Sequence, residues 1–195
     1  MATRNRKKVN FKTVNDLNAL VVNSVSRLPK DITLIVAVPR SGYLVASLVS
    51  LYLNLPMCTF NEYISQRLPT GGRRTKDFDF ENQDNQKALV VDDSVSSGWE
   101  MRRLRAQFES SGIMIETLFL AAYVSNKSRD LVDIALEITD PPQIFEWNIY
   151  HHPHLINSCV EIDGVICPNP TQEEGDGKNY QGFLENAEPR IIPSV

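Results

Sequence analysis

Two stretches of the 195-residue chain set chemically competent side chains directly after apolar runs: Pro39-Arg40-Ser41-Gly42, and Asp92-Asp93-Ser94-Val95-Ser96-Ser97-Gly98. The second joins a pair of carboxylates to small hydroxyl residues that lead into a helix. Unfilled helix amides, the Ser96 and Ser97 hydroxyls and the helix dipole together suit a phosphate monoester. The two acids repel a phosphate at contact distance, and suit ribose hydroxyls or a divalent cation instead. Arg40, on a neighbouring turn, adds a contact for a second anionic group. The blander reading makes Asp92-Asp93 an acidic turn and Ser96-Ser97-Gly98 a helix cap. The arginine turn and a later basic loop favour a site for a phosphorylated sugar.

Those residues need elements to position them. Leu17, Val21, Val25 and Leu28 recur at helical spacing, with Thr13 as cap and Asp16 near the exposed first-turn amides. Residues 32–38 (ITLIVAV) form a β-branched apolar run suited to a strand buried on both faces. Residues 43–53 then read as a buried helix and 56–60 as a short strand. Residues 88–91 read as a strand ending at Asp92-Asp93, and 98–111 as a helix stopped by Gly112. Residues 113–124 supply a further strand, and 132–138 alternate as a strand with one wet face does. This order predicts an α/β domain with a mainly parallel sheet flanked by helices, over residues 1–140. Residues 61–87 are polar, carry Gly71-Gly72, Arg73, Arg74 and Lys76, and read as a long functional or disordered loop. Trp99 reads as a packing residue rather than a stacking platform.

The run ALVVDDSVSSG resembles the phosphoribosyl-diphosphate (PRPP) signature of type I phosphoribosyltransferases, and the PRSG turn resembles that family's diphosphate loop. The resemblance spans about residues 10–140 and leans toward an orotate phosphoribosyltransferase-like arrangement, since Ser96 stands where purine-type members carry Asp. It implies that Asp92 and Asp93 hold the ribose hydroxyls, and Mg2+ as well. Residues 96–100 would take the 5-phosphate, and the substrate-binding set includes Ser94, Ser96, Ser97 and Gly98. Arg40, Ser41 and Gly42 would meet the diphosphate, with a non-proline cis peptide there. Arg73, Arg74 and Lys76 would close over it as catalytic residues of a mobile loop. The reaction implied is transfer of ribose 5-phosphate from PRPP to a nitrogenous base with release of diphosphate, a step of nucleotide metabolism. Glu100 stands where members carry Thr or Ser. A carboxylate about 4 Å from the phosphate costs about 4 kcal/mol at an effective dielectric of 20, so either Glu100 turns to solvent or phosphate binding weakens. The alternative is a PRPP- or nucleotide-binding regulatory protein without turnover.

Composition is that of a globular protein: 42% hydrophobic, 23% charged, with a net charge of −4. The acidic balance argues against a nucleic-acid partner, although Arg4, Arg6, Lys7 and Lys8 make a basic start. The expected partners are PRPP and a small-molecule base, with a homodimer in keeping with the resemblance. No apolar run suits a membrane span or a signal peptide. Three irregularly spaced cysteines, Cys58, Cys159 and Cys167, read as reduced thiols, so the expected location is the cytoplasm. Pro141-Pro142 opens a C-terminal extension, residues 141–195, that reads as irregular. Its segment 158–167, with Glu161, Asp163 and Gly164, resembles the first motif of haloacid-dehalogenase phosphatases. Glu161 stands at the nucleophile position and only about thirty residues follow, which implies a truncated remnant packing over the base pocket. A phosphatase built on Asp163 is the weaker alternative. His151, His152 and His154 with Cys159 and Cys167 match no closed zinc spacing and read as surface residues.

Overall fold

The computed structural model describes residues 9–67, 78, 85–152, 159, 167–175 and 179–188. The chain divides into two compact units, Met1–Trp147 and Asn148–Val195. The first is built on strands β1 (Asn10–Lys12), β2 (Leu34–Ala37), β3 (Met57–Thr59), β4 (Lys87–Val95), β5 (Glu116–Val124), β6 (Ile134–Ile138) and β7 (Gln143–Phe145). Its helices are α1 (Val14–Val25), α2 (Gly42–Leu53), α3 (Phe60–Ile64) and α4 (Trp99–Ser110). The main sheet has the order β3-β2-β4-β5-β6, and every pairing is parallel. A mainly parallel sheet flanked by helices is therefore the architecture, as the alternation of elements predicts. β1 and β7 form a separate parallel pair that brings residue 10 beside residue 143.

The two faces of the sheet carry different halves of the core. Ile35, Ala37, Leu89, Val91 and Leu120 pack with Leu17 and Val21 of α1 and with Val45, Ala46 and Val49 of α2. Val36, Ala88, Val90, Phe119 and Ala121 pack with Met101 and Leu104 of α4 and with Tyr63 of α3. Alternate residues of one strand thus serve opposite layers, which is why the strands read as unbroken apolar runs. Each fully buried Leu, Ile or Phe contributes about 1.5–3 kcal/mol of transfer free energy.

Several boundaries differ from the sequence expectation. β4 does not stop at Val91 but runs on through both acids to Val95, because Asp92 and Ser94 continue the ladder opposite Ala121 and Tyr123 of β5. The polar stretch after β3 begins with a helix, α3, fixed by a reciprocal capping box between Thr59 and Glu62. The same device starts α1, where Thr13 and Asp16 cap each other. Trp99 does not pack: it is 68% exposed at the start of α4. β6 is half-buried for most of its length rather than divided into one dry and one wet face.

The second unit contains α5 (Tyr180–Asn186), with Tyr180 stacked on Phe183. The segment compared with haloacid dehalogenases, including Glu161, Asp163 and Gly164, lies outside the described residues except at its ends, as does His154. Among the described residues, no helix is long and apolar enough to cross a membrane. Among the described residues, no disulfide joins Cys58, Cys159 or Cys167, and burial pushes Cys58 up to about 12.

Candidate active site

The two chemically loaded strand exits lie side by side. β2 and β4 are neighbours in the sheet, and the Val38 amide donates to the Val91 carbonyl at 3.0 Å. The turn beyond β2 contains a cis peptide between Pro39 and Arg40, and Arg40 is exposed. Gly42 then begins α2 directly against β4. A Cβ on Gly42 would lie 2.8 Å from the Val91 carbonyl oxygen and 3.2 Å from both Cα and Oδ1 of Asp92. Only a residue without a side chain lets the arginine turn sit this close to the first acid.

Beyond β4 the chain forms a pocket of about 150 Å³, lined by Asp92, residues 94–98, Glu100 and Met101. Gly98 caps α4 at φ +76°, with no side-chain hydrogen bond from the cap itself. The Trp99 amide reaches only the Ser97 hydroxyl, at 3.4 Å. The first-turn amides of a 12-residue helix therefore border a small polar cavity, an arrangement that favours an anion. The cradle is braced from behind. The buried hydroxyls of Ser125 and Ser128 both donate to the Ser96 carbonyl, at 2.7 and 2.8 Å. Ser125 and Ser128 belong to the turn after β5, and nothing in their local sequence advertises the role. Gly98→Ala would set a Cβ 2.1 Å from Leu131 Cδ1 as well as occupying a left-handed conformation. A loss of about 1–2 kcal/mol in urea unfolding is expected, with a weaker phosphate site in titration calorimetry.

The two acids have different hydrogen-bond partners. Asp92 lines this pocket, and its Oδ1 accepts the Asp93 amide at 2.8 Å. Asp93 Oδ2 accepts the indole N–H of Trp147 at 2.7 Å, and its Oδ1 faces the Ser94 hydroxyl at 3.4 Å. Both acids are buried. Burial, reinforced by the neighbouring Asp93, pushes the Asp92 carboxyl well above the usual carboxylate range. Burial also raises Asp93, while the Trp147 hydrogen bond opposes the rise. Trp147 is itself held in a cluster of rings, 5.1 Å from Phe145 and 6.2 Å from Tyr123.

Glu100 remains at the mouth of the pocket. Its carboxylate pairs with Arg103, whose Nε donates at 2.9 Å and whose Nη2 makes a second, shorter contact. That guanidinium holds the Glu100 carboxyl below its usual range and so favours a negative charge at the pocket. The structure thus brings Arg40, Ser41, Gly42, Asp92, Ser94, Ser96, Ser97 and Gly98 to one end of the sheet. Arg73, Arg74 and Lys76 lie outside the described residues. A larger cavity in the second unit is lined by Thr171, Glu173, Glu174, Asn179 and Glu188, an acidic set unsuited to a phosphate.

This chain is similar to a purine phosphoribosyltransferase of Pyrococcus horikoshii (TM-score 0.52, 15% identity, 71% of this chain and 93% of that one). It is similar also to the xanthine-guanine-hypoxanthine phosphoribosyltransferase of Helicobacter pylori (TM-score 0.52, 15% identity, 77% and 99%). The fold is that of the type I phosphoribosyltransferases. A hypothetical protein of Neisseria gonorrhoeae with bound ppGpp shares the architecture (TM-score 0.53, 11% identity, 79% and 98%). No protein-family model matches the sequence. A curated relative, the transcriptional regulator GfcR of Methanococcoides burtonii, is 24% identical over 113 residues, 58% of this chain. The match spans about half of that relative, 55% of its length. On the phosphoribosyltransferase fold, the pocket at the start of α4 and the Pro39–Arg40 turn occupy the carboxyl ends of adjacent parallel strands, the usual ligand position of an open α/β sheet.

Proposed function

We propose that the first unit is a phosphoribosyltransferase that binds PRPP and transfers ribose 5-phosphate to a nitrogenous base. The observation carrying this reading is the close approach of Gly42 to Asp92, which brings the Pro39–Arg40 turn and the pocket before α4 to either side of one buried carboxylate. In this reading the amides and hydroxyls of residues 96–99 take the 5-phosphate, Asp92 accepts from a ribose hydroxyl, and Arg40 meets the diphosphate. The C1–oxygen bond to diphosphate breaks as the C1–nitrogen bond forms, and the base gives up its proton to solvent. Charge builds at C1 in the transition state, where a buried carboxylate stabilises it without covalent catalysis.

Among the described residues, no group of three His, Cys, Asp or Glu side chains could cage a metal ion. Asp92 and Asp93 would supply carboxylate oxygens to Mg2+, a cation usually held by one or two carboxylates together with substrate phosphates. An ion held there would supply positive charge against the diphosphate. The acceptor proposed from Ser96 is an orotate-like base rather than a purine. The test is diphosphate release from PRPP with orotate, uracil, xanthine and adenine in turn. Release with one acceptor supports the reading, and silence with all of them removes turnover from it.

A second reading, a nucleotide-sensing regulator without turnover, is favoured by the Glu100 charge at the pocket mouth and by the likeness to the GfcR regulator. Magnesium-dependent PRPP binding by calorimetry, with no diphosphate formed, would support it. Under either reading Glu100→Gln removes a negative charge facing the phosphate. It should tighten PRPP binding several-fold, about 1 kcal/mol, because a half-exposed charge is partly screened by solvent. The gain should shrink as salt is added.

A further inference from the structure

The Trp147–Asp93 hydrogen bond has no need to exist for packing alone. Trp147 closes a ring cluster in which Tyr123 and Phe145 lie 5.2 Å apart, and a phenyl ring there would bury comparable apolar surface. The indole adds one N–H, and that N–H is given to the second acid of the strand tip, 54 residues away, at 2.7 Å. Its orientation is set from several sides. β7 pairs with β1, the Val14 amide donates to Glu146 at 2.7 Å, and Lys12, paired with Glu137 at 2.6 Å, stands over the Tyr123 ring. A donor locked by stacking on one side and by backbone pairing on the other fixes the direction of the carboxylate it meets.

We propose that Trp147 is a positioning residue of the sugar site: its N–H holds Asp93 at the angle from which that acid recognises a ribose hydroxyl. The proposal rests on the sugar-phosphate reading above and adds a residue that sets discrimination between ribose and deoxyribose. A site built to accept from a hydroxyl loses affinity for the analogue that lacks it, and loses that discrimination when the donor that sets the acceptor's angle is removed.

The experiment is calorimetric titration of the full chain with PRPP, ribose 5-phosphate and 2-deoxyribose 5-phosphate, repeated on Trp147→Phe. The native chain should prefer ribose 5-phosphate over the deoxy sugar. The variant should lose about tenfold in affinity for ribose 5-phosphate and keep its affinity for the deoxy sugar, so that the preference collapses. Equal losses for both sugars, or no loss for either, would overturn the proposal. If the native chain binds none of the three ligands, the sugar-phosphate reading fails and this proposal fails with it. A native chain that binds but ignores the substitution sinks the proposal alone. A second readout avoids any folding defect of the variant. The native chain contains two tryptophans, Trp99 and Trp147, so its indole N–H resonances are readily followed. The Trp147 signal should move with ribose 5-phosphate and stay with the deoxy sugar; identical responses to both sugars would count against the role.

Discussion

Asp92→Asn is expected to lower PRPP affinity by at least about thirtyfold while making the folded protein more stable. The two effects have one cause. Asp92 is a buried carboxylate beside a second buried carboxylate, so its charge is costly in the empty protein and useful only when a hydroxyl or a cation arrives. Asparagine keeps an oxygen able to accept the Asp93 amide, the hydrogen bond Asp92 makes at 2.8 Å, and discards the charge. A gain of about 1 kcal/mol corresponds to a rise in Tm of about 2–4 °C for a chain of this size. The pH dependence follows from the direction of the shift. A carboxyl raised in the folded state carries its full penalty at pH values above the raised pKa. The penalty is relieved as pH falls through that value toward 3.8 and the folded protein takes up the proton. The stability advantage of Asp92→Asn should therefore be largest near neutral pH and close on acidification. Urea unfolding at about pH 7.5 and about pH 4 measures it. An advantage that grows on acidification would show that the surroundings do not raise the Asp92 carboxyl. The double variant with Asp93→Asn should lose sugar-phosphate binding altogether and still fold.

The second large effect is expected at Gly42. Alanine there meets backbone rather than a side-chain tip: the Val91 carbonyl at 2.8 Å and the Asp92 Cα at 3.2 Å. Neither can rotate away, so the start of α2 must move off β4. Overpacking of this kind costs about 1–3 kcal/mol. The displacement also draws the Arg40 turn away from Asp92, so under the proposed reading PRPP affinity should fall by about tenfold or more. The contrast with ribose 5-phosphate is diagnostic. A ligand that lacks the diphosphate should lose less affinity than PRPP, because its contacts lie at the α4 cradle. Equal losses for the two ligands would place the diphosphate elsewhere.

The sheet was readable because its strands are buried on both faces, and such strands appear as short β-branched runs whatever their neighbours. The strand tip was harder. Asp92 and Asp93 look like the end of β4, since buried carboxylates are rare in strands, yet the ladder with β5 continues past them to Val95. The capping box that starts α3 was visible as Thr59 followed three residues later by Glu62, but the long polar stretch after it obscured a five-residue helix. Trp99 was misread because a large aromatic ordinarily packs, whereas here it opens a helix at the rim of the pocket. Trp147 and the braces at Ser125 and Ser128 carried no local signal at all. Their partners lie 54, 29 and 32 residues away in sequence, and only the folded arrangement of parallel strands brings them together.

The doubly held carbonyl of Ser96 bears on how a ligand is received. Two buried hydroxyls from the turn after β5 converge on it, so the loop that would cradle a phosphate is shaped by the tertiary fold before any guest arrives. Ordering entropy for that loop is settled during folding rather than at encounter, and a visitor gives up chiefly its own freedom. Recognition at this end of the sheet then works as a mould does, by fit to a cast already set.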